Sequence, residues 1–519
     1  LSAFEILTTE RASGLGAPRV FFYFLPVNLF AAFAKTVARR RYQPAIFWGE
    51  AQLAYDWIAQ RAAWLARATA ADYGVRRGDR VAVWLKNCPE FPAALFGVWR
   101  AGGVVTVINN FLKPEEVAYI LGDSGARVVI TDHSLADGQA KLAALMPELK
   151  FLRVEDFAAL REDEAPAPAD LNESDLAALL YTAGTTGHPK GAMLTHGNFL
   201  ANVRSCFVCL DFREEDRLLV LLPQFHSFMF TVGTLTPLLR GASVVLVKSV
   251  SPFKHVLDDI IHRRATILPA VPPIHRALAG LPAGVELPSL RLCISGGAPL
   301  PLEVLHQFQA RFPNLPLLEG YGPTESSPVA TVNPLHAKTR AGSVGLPIPN
   351  VELSIRDEEG KELPVGQTGE ICIRGPNVMR GYWNQPEETA QTIRDGWLYT
   401  GDIGHRDADG FFYITDRKKD MLLVNGINVY PREVEEVIHR FPGVKDAAVI
   451  GVPDARRGEQ PLAFIVVADG VTLDEKALHD FVREKLADYK VPRHFRVLPA
   501  LPRNATGKVL KTALRELAK

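Results

Sequence analysis

Short β-branched runs alternate with helix-length stretches in the first third of this chain, and that alternation constrains the fold most. "LAYDWIAQRAAWLARATAADYGV" (53–75) carries apolar residues at helical spacing. "DRVAVWL" (79–85), "VVTVI" (104–108) and "ARVVITD" (126–132) are strand-length runs bounded by turns. Strands separated by helices can pair in the same direction, because the helix carries the chain back across the sheet. The expectation is a mainly parallel sheet layered with helices. The same signal returns at "RLLVLLP" (217–223), "ASVVLV" (242–247) and "ATILPAVP" (265–272).

Three further changes of pattern divide the chain. The polar, Pro-containing stretch "REDEAPAPADLNESD" (161–175) reads as a surface linker. From about 342 to 415 the runs shorten to strands and turns, such as "VELSIRDEEGKEL" and "GEICIRG", which reads as a small β-rich subdomain. After "DRKKD" (416–420) come the helical patterns "PREVEEVIHRF" and "LDEKALHDFVREKLA" and the strand patterns "DAAVIGV" and "AFIVVA". The expected fold class is α/β: a large N-terminal domain (1–415) of layered α/β subdomains plus the β-rich subdomain, and a small α+β C-terminal domain (421–519), joined at 416–420.

Charge narrows the function classes. Lys plus Arg and Asp plus Glu both number 58, for a net charge of zero. That balance argues against a nucleic-acid binder, and no nucleic-acid partner is expected. Five cysteines in 519 residues give no disulfide framework and suit a reducing compartment. Cys206 and Cys209 form a CxxC, but no second CxxC or His pair completes a zinc site. With Phe207, Val208 and Leu210 around them, they read as thiols on a buried helix face. The apolar stretch "VFFYFLPVNLFAAFA" (20–34) is broken by Pro26 and Asn28 and too short for a membrane span. It reads as a buried lead into the first helix. The chain starts at Leu1, so a targeting segment upstream stays open.

"DLAALLYTAGTTGHPKG" (175–191) runs from apolar strand into a Gly/Thr loop that ends on Lys190. Glycines let backbone N–H groups turn toward an anion, Thr hydroxyls donate to phosphate oxygens, and a lysine supplies a cation. The loop could cradle a triphosphate. Its order, Gly184-Thr-Thr-Gly187-His-Pro-Lys190-Gly191, is not that of a Walker A loop.

The loop and the "AMLTHGNF" after it resemble the phosphate loop of adenylate-forming enzymes: acyl-CoA synthetases, adenylation domains and beetle luciferases. Further similar blocks follow in order: "LPQFHSF" (222–228), "SGGAPL" (295–300), "EGYGPTESSP" (319–328), "GYW" (381–383), "GWLYTGDIG" (396–404), "DRKKDMLLVNGINVYPREVEE" (416–436) and "PRNATGKVLK" (502–511). The resemblance covers nearly the whole chain. It implies ATP, Mg²⁺ and CoA, a carboxylic acid activated as its adenylate, and a thiol that then displaces AMP.

The resemblance assigns roles position by position. Thr182, Gly184, Thr185, Thr186, Gly187 and Lys190 belong to the phosphate loop, with Thr185 also on the metal side. Thr324 would contact the α-phosphate and Glu325 would help hold Mg²⁺, for which an oxygen ligand is apt. Gly297, Ala298 and Pro299 would line one face of adenine, with Tyr321 stacked on the other, Glu319 toward the purine edge, and Gly320 and Gly322 beside it. Asp402 would bind the ribose hydroxyls, Arg417 the ribose or phosphate, and Ile414 belongs to the same nucleotide wall. Lys508 would bridge the substrate carboxylate and the α-phosphate. His226 sits in the segment that resembles the acyl-site wall. Lys419 matches the hinge about which the mobile C-terminal domain rotates, and Gly426 would then line the pantetheine tunnel.

Which acid is taken is less constrained. "DRKKDMLLVNGINVYPREVE" and "LLEGYGPTE" look most like medium- and long-chain fatty acyl-CoA synthetases, and Phe225, Phe228, Met229, Phe230 and Val232 offer an apolar wall. Gln224 in "LPQFHSFMF" and Pro323 in "YGPTESSP" depart from common patterns and leave chain length open. Aryl- or cyclic-acid ligases, an acyl-AMP ligase that loads a carrier protein, and a non-catalytic nucleotide-binding regulator are the alternatives. The expected partners are ATP, CoA and a fatty or other apolar acid. The expected location is cytoplasmic, with peripheral membrane contact and a homodimer left open.

Overall fold

The computed structural model describes residues 27–160, 164–182, 189–425, 427–454, 456–468, 470–504 and 507–518. Two sheets with parallel centres carry most of the chain. In the six-stranded sheet, Arg80–Val83, Val104–Val107, Val128–Thr131, Lys150–Arg153 and Leu176–Thr182 run parallel, and Lys190–Thr195 closes one edge antiparallel to Leu176–Thr182. Val104–Val107 and Val128–Thr131 are buried at every position. A strand with no solvent face needs no polar alternation, which is why these runs are continuously apolar and β-branched.

The nine-stranded sheet has a parallel centre ordered Leu317–Tyr321, Leu292–Ser295, Ile267–Ala270, Arg217–Val220, Ser243–Leu246 and Pro44–Trp48, with antiparallel strands at both ends. Helix Leu29–Arg40 is capped by Asn28, whose side chain accepts from the Ala31 N–H at 2.8 Å, and it buries Leu29, Phe30 and Phe33. The apolar stretch at 20–34 is thus core-facing from Leu29 onward; residues 20–26 lie outside the described residues. Phe33 stacks on Phe96 at 3.8 Å, and Trp99 meets Phe96 and Phe230 edge-on. Each such aromatic side chain stabilises the core by roughly 1.5–3 kcal/mol through burial.

One local expectation shifts. The helical pattern from Leu53 starts instead at Tyr55, because Leu53 and Ala54 pair with strand Pro44–Trp48. Among the described residues, no helix is long and apolar enough to cross a membrane.

The β-rich region is an antiparallel sheet of Glu352–Arg356, Gly369–Arg374, Ile393–Arg394, Trp397–Arg406 and Phe412–Arg417. Beyond a 3₁₀ turn at Lys418–Asp420, five more strands form a separate sheet between 422 and 497. Val434 and Ile438 from helix Pro431–His439, and Leu478 and Val482 from helix Glu475–Lys485, pack on it in a core of their own.

Candidate active site

Strands Arg217–Val220, Ile267–Ala270, Leu292–Ser295 and Leu317–Tyr321 run parallel, so their carboxyl ends lie on one side. In an open parallel sheet a crevice forms just beyond those ends. Here the loops that leave the strands enclose roughly 580 Å³, part of it open to solvent. His226, Phe228, Gly297 and Tyr321 line it, together with Cys206 and Cys209 from the end of helix His196–Cys209. No Asp, Glu, Lys or Arg is among the described residues that line it. Burial pushes the Cys209 thiol up to about 12 and Cys206 further still, so both stay protonated and act as apolar lining. Burial also holds His226 down at about 4, helped by repulsion from Lys508, so its imidazole is neutral. Nδ1 accepts from the Phe228 N–H at 3.4 Å, which leaves the proton on Nε2.

Two glycines shape the rim. A Cβ on Gly322 would sit 1.6 Å from the Pro328 carbonyl oxygen, so no side chain fits there. Gly297 has φ +76°, a left-handed turn that leaves Gly297 and Pro299 exposed on one wall.

Several expected nucleotide residues come together here. The Tyr321 hydroxyl donates to Asp402 Oδ2 at 2.6 Å, and Arg417 Nε meets Asp402 Oδ1 at 2.7 Å. Asp402 is 4% exposed, so its charge is held by those two partners rather than by water. The Asp402 carboxylate in turn raises the Arg417 guanidinium above its ordinary value. Thr324 and Ser227 share a hydrogen bond of 3.0 Å. Glu319 Oε1 accepts the Leu300 N–H at 3.0 Å, which ties Gly297–Pro299 to the strand that carries Tyr321. Burial pushes Glu319 up to about 7, against the pull of Arg432 and the Leu300 N–H. Ala298 and Gly320 are half-buried beside it. The Ile414 carbonyl accepts from Arg432 Nη1 at 2.9 Å, so that wall also meets the C-terminal sheet's first helix.

Lys508 arrives from the far end of the chain. It sits on a tight hairpin in which Asn504 and Lys508 exchange two bonds of 2.9 Å. The neighbouring Gly507 lies against the large domain: a Cβ there would be 3.5 Å from Val271 Cγ2. Lys508 is exposed, yet the protein around it displaces enough water to lower its ammonium to about 8. Repulsion from Arg417 adds to that effect and attraction to Asp402 opposes it. Lys419 is exposed in the 3₁₀ turn between the two sheets.

On the phosphate side, the Thr182 hydroxyl reaches Glu325 Oε1 at 3.4 Å. Lys190 is 5% exposed and pairs with Glu388. Gly184, Thr185, Thr186, Gly187 and Gly426 lie outside the described residues. Among the described residues, no three His, Cys, Asp or Glu side chains cluster as a metal cage. Glu325, next to Thr182, offers a hard oxygen donor. That donor set fits Mg²⁺, which typically takes one or two carboxylates and completes its shell with water and substrate phosphates.

An apolar cavity, a pre-set carboxylate–guanidinium pair and a lysine delivered by a second lobe form the arrangement of adenylate-forming enzymes. The chain belongs to the AMP-binding enzyme family, whose main domain matches residues 33–383 and whose C-terminal domain matches residues 433–508. It is an AMP-forming acyl- or aryl-CoA ligase, a class that uses ATP, Mg²⁺ and CoA. It is 39% identical over 485 residues to a feruloyl-CoA synthase of an Amycolatopsis species, covering 92% of this chain and 97% of that one. It is 37% identical over 484 residues to a long-chain-fatty-acid–CoA ligase of Bacillus subtilis, covering 85% and 86%. ATP-bound MatB from Rhodopseudomonas palustris superposes with a TM-score of 0.88 at 35% identity, covering 95% and 99%.

Sequence reasoning missed the cavity lining by Cys206 and Cys209, the Lys190–Glu388 pair and the Tyr382 contact to Glu325. "GYW" was visible as a block at 381–383, but nothing in it marks Tyr382 as the residue that reaches Glu325.

Proposed function

We propose that this chain joins a medium- or long-chain fatty acid to CoA through an acyl adenylate. The observation that carries this reading is the cavity beside His226, which has apolar and thiol lining and no charged side chain among the described residues. A charged tail would lose its hydration there without gaining a partner. A second reading, an aryl acid, is favoured by the 39% identity to feruloyl-CoA synthase.

In the first half-reaction a carboxylate oxygen attacks the α-phosphorus of ATP and pyrophosphate leaves. Two anions must meet, so cationic groups and alignment carry the step. Lys508 supplies a positive charge to both the carboxylate and the α-phosphate. Asp402 holds the ribose hydroxyls, and Arg417 fixes that carboxylate. Tyr321 and the Gly297–Pro299 wall hold the purine. His226 donates Nε2–H to the acid without removing a proton, because the attacking carboxylate has none to lose. Thr324 faces the α-phosphate. Glu325, together with Thr185 as the resemblance implies, would hold Mg²⁺, which supplies charge neutralisation along the phosphates when bound. In the second half-reaction the CoA sulfur attacks the acyl carbon and AMP leaves. Rotation about Lys419 withdraws Lys508 and brings the segment around Gly426 to the same carbon.

The test is an acid panel from four to eighteen carbons plus benzoate, cinnamate and ferulate, with pyrophosphate release and thioester both measured. Highest kcat/KM for a straight-chain acid of eight or more carbons supports the first reading. Highest kcat/KM for an aromatic acid supports the second. AMP release without thioester from any acid would overturn CoA as the acceptor.

A further inference from the structure

We infer that Tyr382 is a positioning residue for the metal-side carboxylate Glu325. The Tyr382 hydroxyl donates to Glu325 Oε1 at 2.8 Å, and the Thr182 hydroxyl approaches the same oxygen at 3.4 Å. Both described bonds fall on Oε1, so Oε2 is the oxygen neither of them claims. Anchoring Oε1 from two sides narrows the range through which the carboxylate can swing, and with it the range open to Oε2.

The tyrosine is itself held from several sides. Residues 380–383 run along strand Lys190–Thr195: the Met193 N–H bonds to the Gly381 carbonyl at 2.8 Å, and the Trp383 N–H bonds to the Gly191 carbonyl at 2.8 Å. The Met379 N–H bonds to the Glu325 carbonyl at 2.8 Å, so the same segment fixes the backbone of the residue whose side chain it orients. The Tyr382 N–H donates to Thr389 Oγ1 at 2.8 Å, at the helix that also carries Glu388. Lys190 lies 5.3 Å over the Tyr382 ring and pairs with Glu388. Tyr382 is 8% exposed, and its ring leaves it little freedom to turn. The strand after the phosphate loop, the "GYW" segment and Glu325 thus form one connected brace. In this arrangement Lys190 balances charge within the brace.

The inference rests on the ligase reading, because it takes Glu325 as the Mg²⁺ carboxylate. The test is Tyr382→Phe, which keeps the ring and its contact with Lys190 and deletes only the hydroxyl. Mn²⁺ affinity would be read by paramagnetic resonance, using the full chain with a non-hydrolysable ATP analogue. The Mg²⁺ midpoint for ATP–pyrophosphate exchange, thioester formation from supplied acyl adenylate, and Tm would be measured alongside. Loss of one such supporting bond typically weakens metal affinity on the order of 10- to 100-fold. The expected result is that loss in Mn²⁺ affinity with a raised Mg²⁺ midpoint, while thioester formation and Tm stay within error of wild type. Unchanged Mn²⁺ affinity in Tyr382→Phe, with wild-type binding intact, would overturn the positioning role alone. So would an equal fall in both half-reactions with a lowered Tm, which marks a packing role. Absence of Mn²⁺–nucleotide binding in the wild type would instead overturn the ligase reading.

Discussion

Arg417 and Asp402 face each other across adjacent antiparallel strands as an ion pair, Nε to Oδ1 2.7 Å. Tyr321 holds the second carboxylate oxygen at 2.6 Å. The carboxylate is therefore oriented by side chains of the protein itself. Asp402→Asn keeps the shape, removes the charge and weakens the hold of Arg417. The KM for ATP in pyrophosphate exchange should rise on the order of tenfold, about 1.4 kcal/mol, with a smaller change in KM for the acid. An unchanged KM for ATP would remove Asp402 from the ribose.

Lys508 gives the reaction a pH limb with a fixed sign. Its ammonium is lowered to about 8, so it is cationic below that value and loses its charge as pH rises through it. Because kcat/KM reports the free enzyme, kcat/KM for ATP in adenylation should fall as pH rises through about 8. Lys508→Arg stays charged throughout, so it should lack that limb, at a lower plateau because a planar guanidinium replaces a point charge. A limb that persists in Lys508→Arg would assign the titration to another group.

Lys419 stands exposed between the two domain patterns, in the turn Lys418–Asp420. Proline fixes φ near −65° and removes a backbone donor. Lys419→Pro should hold one domain orientation, leaving adenylation within about threefold of wild type while thioester formation from supplied acyl adenylate falls on the order of 10²-fold. Equal rates in both half-reactions would rule out rotation at this residue.

Two thiols form part of the cavity wall. Cys206 is buried and Cys209 half-buried at the end of one helix. Cys209→Phe adds volume at that wall. It should cut kcat/KM for the longest acid accepted by roughly 10- to 200-fold while leaving the shortest unchanged. A uniform loss across chain lengths would mean that the acyl tail does not reach this wall.

The layered α/β order was legible because buried parallel strands are continuous β-branched runs, as in "VVTVI". The blocks proposed to hold the nucleotide were legible through the family resemblance, and within them Gly322 and Gly297 answer local backbone demands that other residues meet poorly. The brace was not. Tyr382 and Glu325 are far apart in sequence, and only the pairing of residues 380–383 with Lys190–Thr195 brings them together. The thiol wall was hidden for a similar reason. Their apolar neighbours mark Cys206 and Cys209 as facing inward, but not whether a packed core or a cavity lies beside them.

The central claim is that the small lobe delivers the cation that lets an acid and ATP react. Its most direct measurement is the Lys508→Ala variant assayed in both half-reactions: acid-dependent ATP–pyrophosphate exchange, and thioester formation from supplied acyl adenylate. The account predicts that exchange falls on the order of 10²–10³-fold while thioester formation is retained. Equal loss in the two half-reactions, or exchange at the wild-type rate, would contradict it.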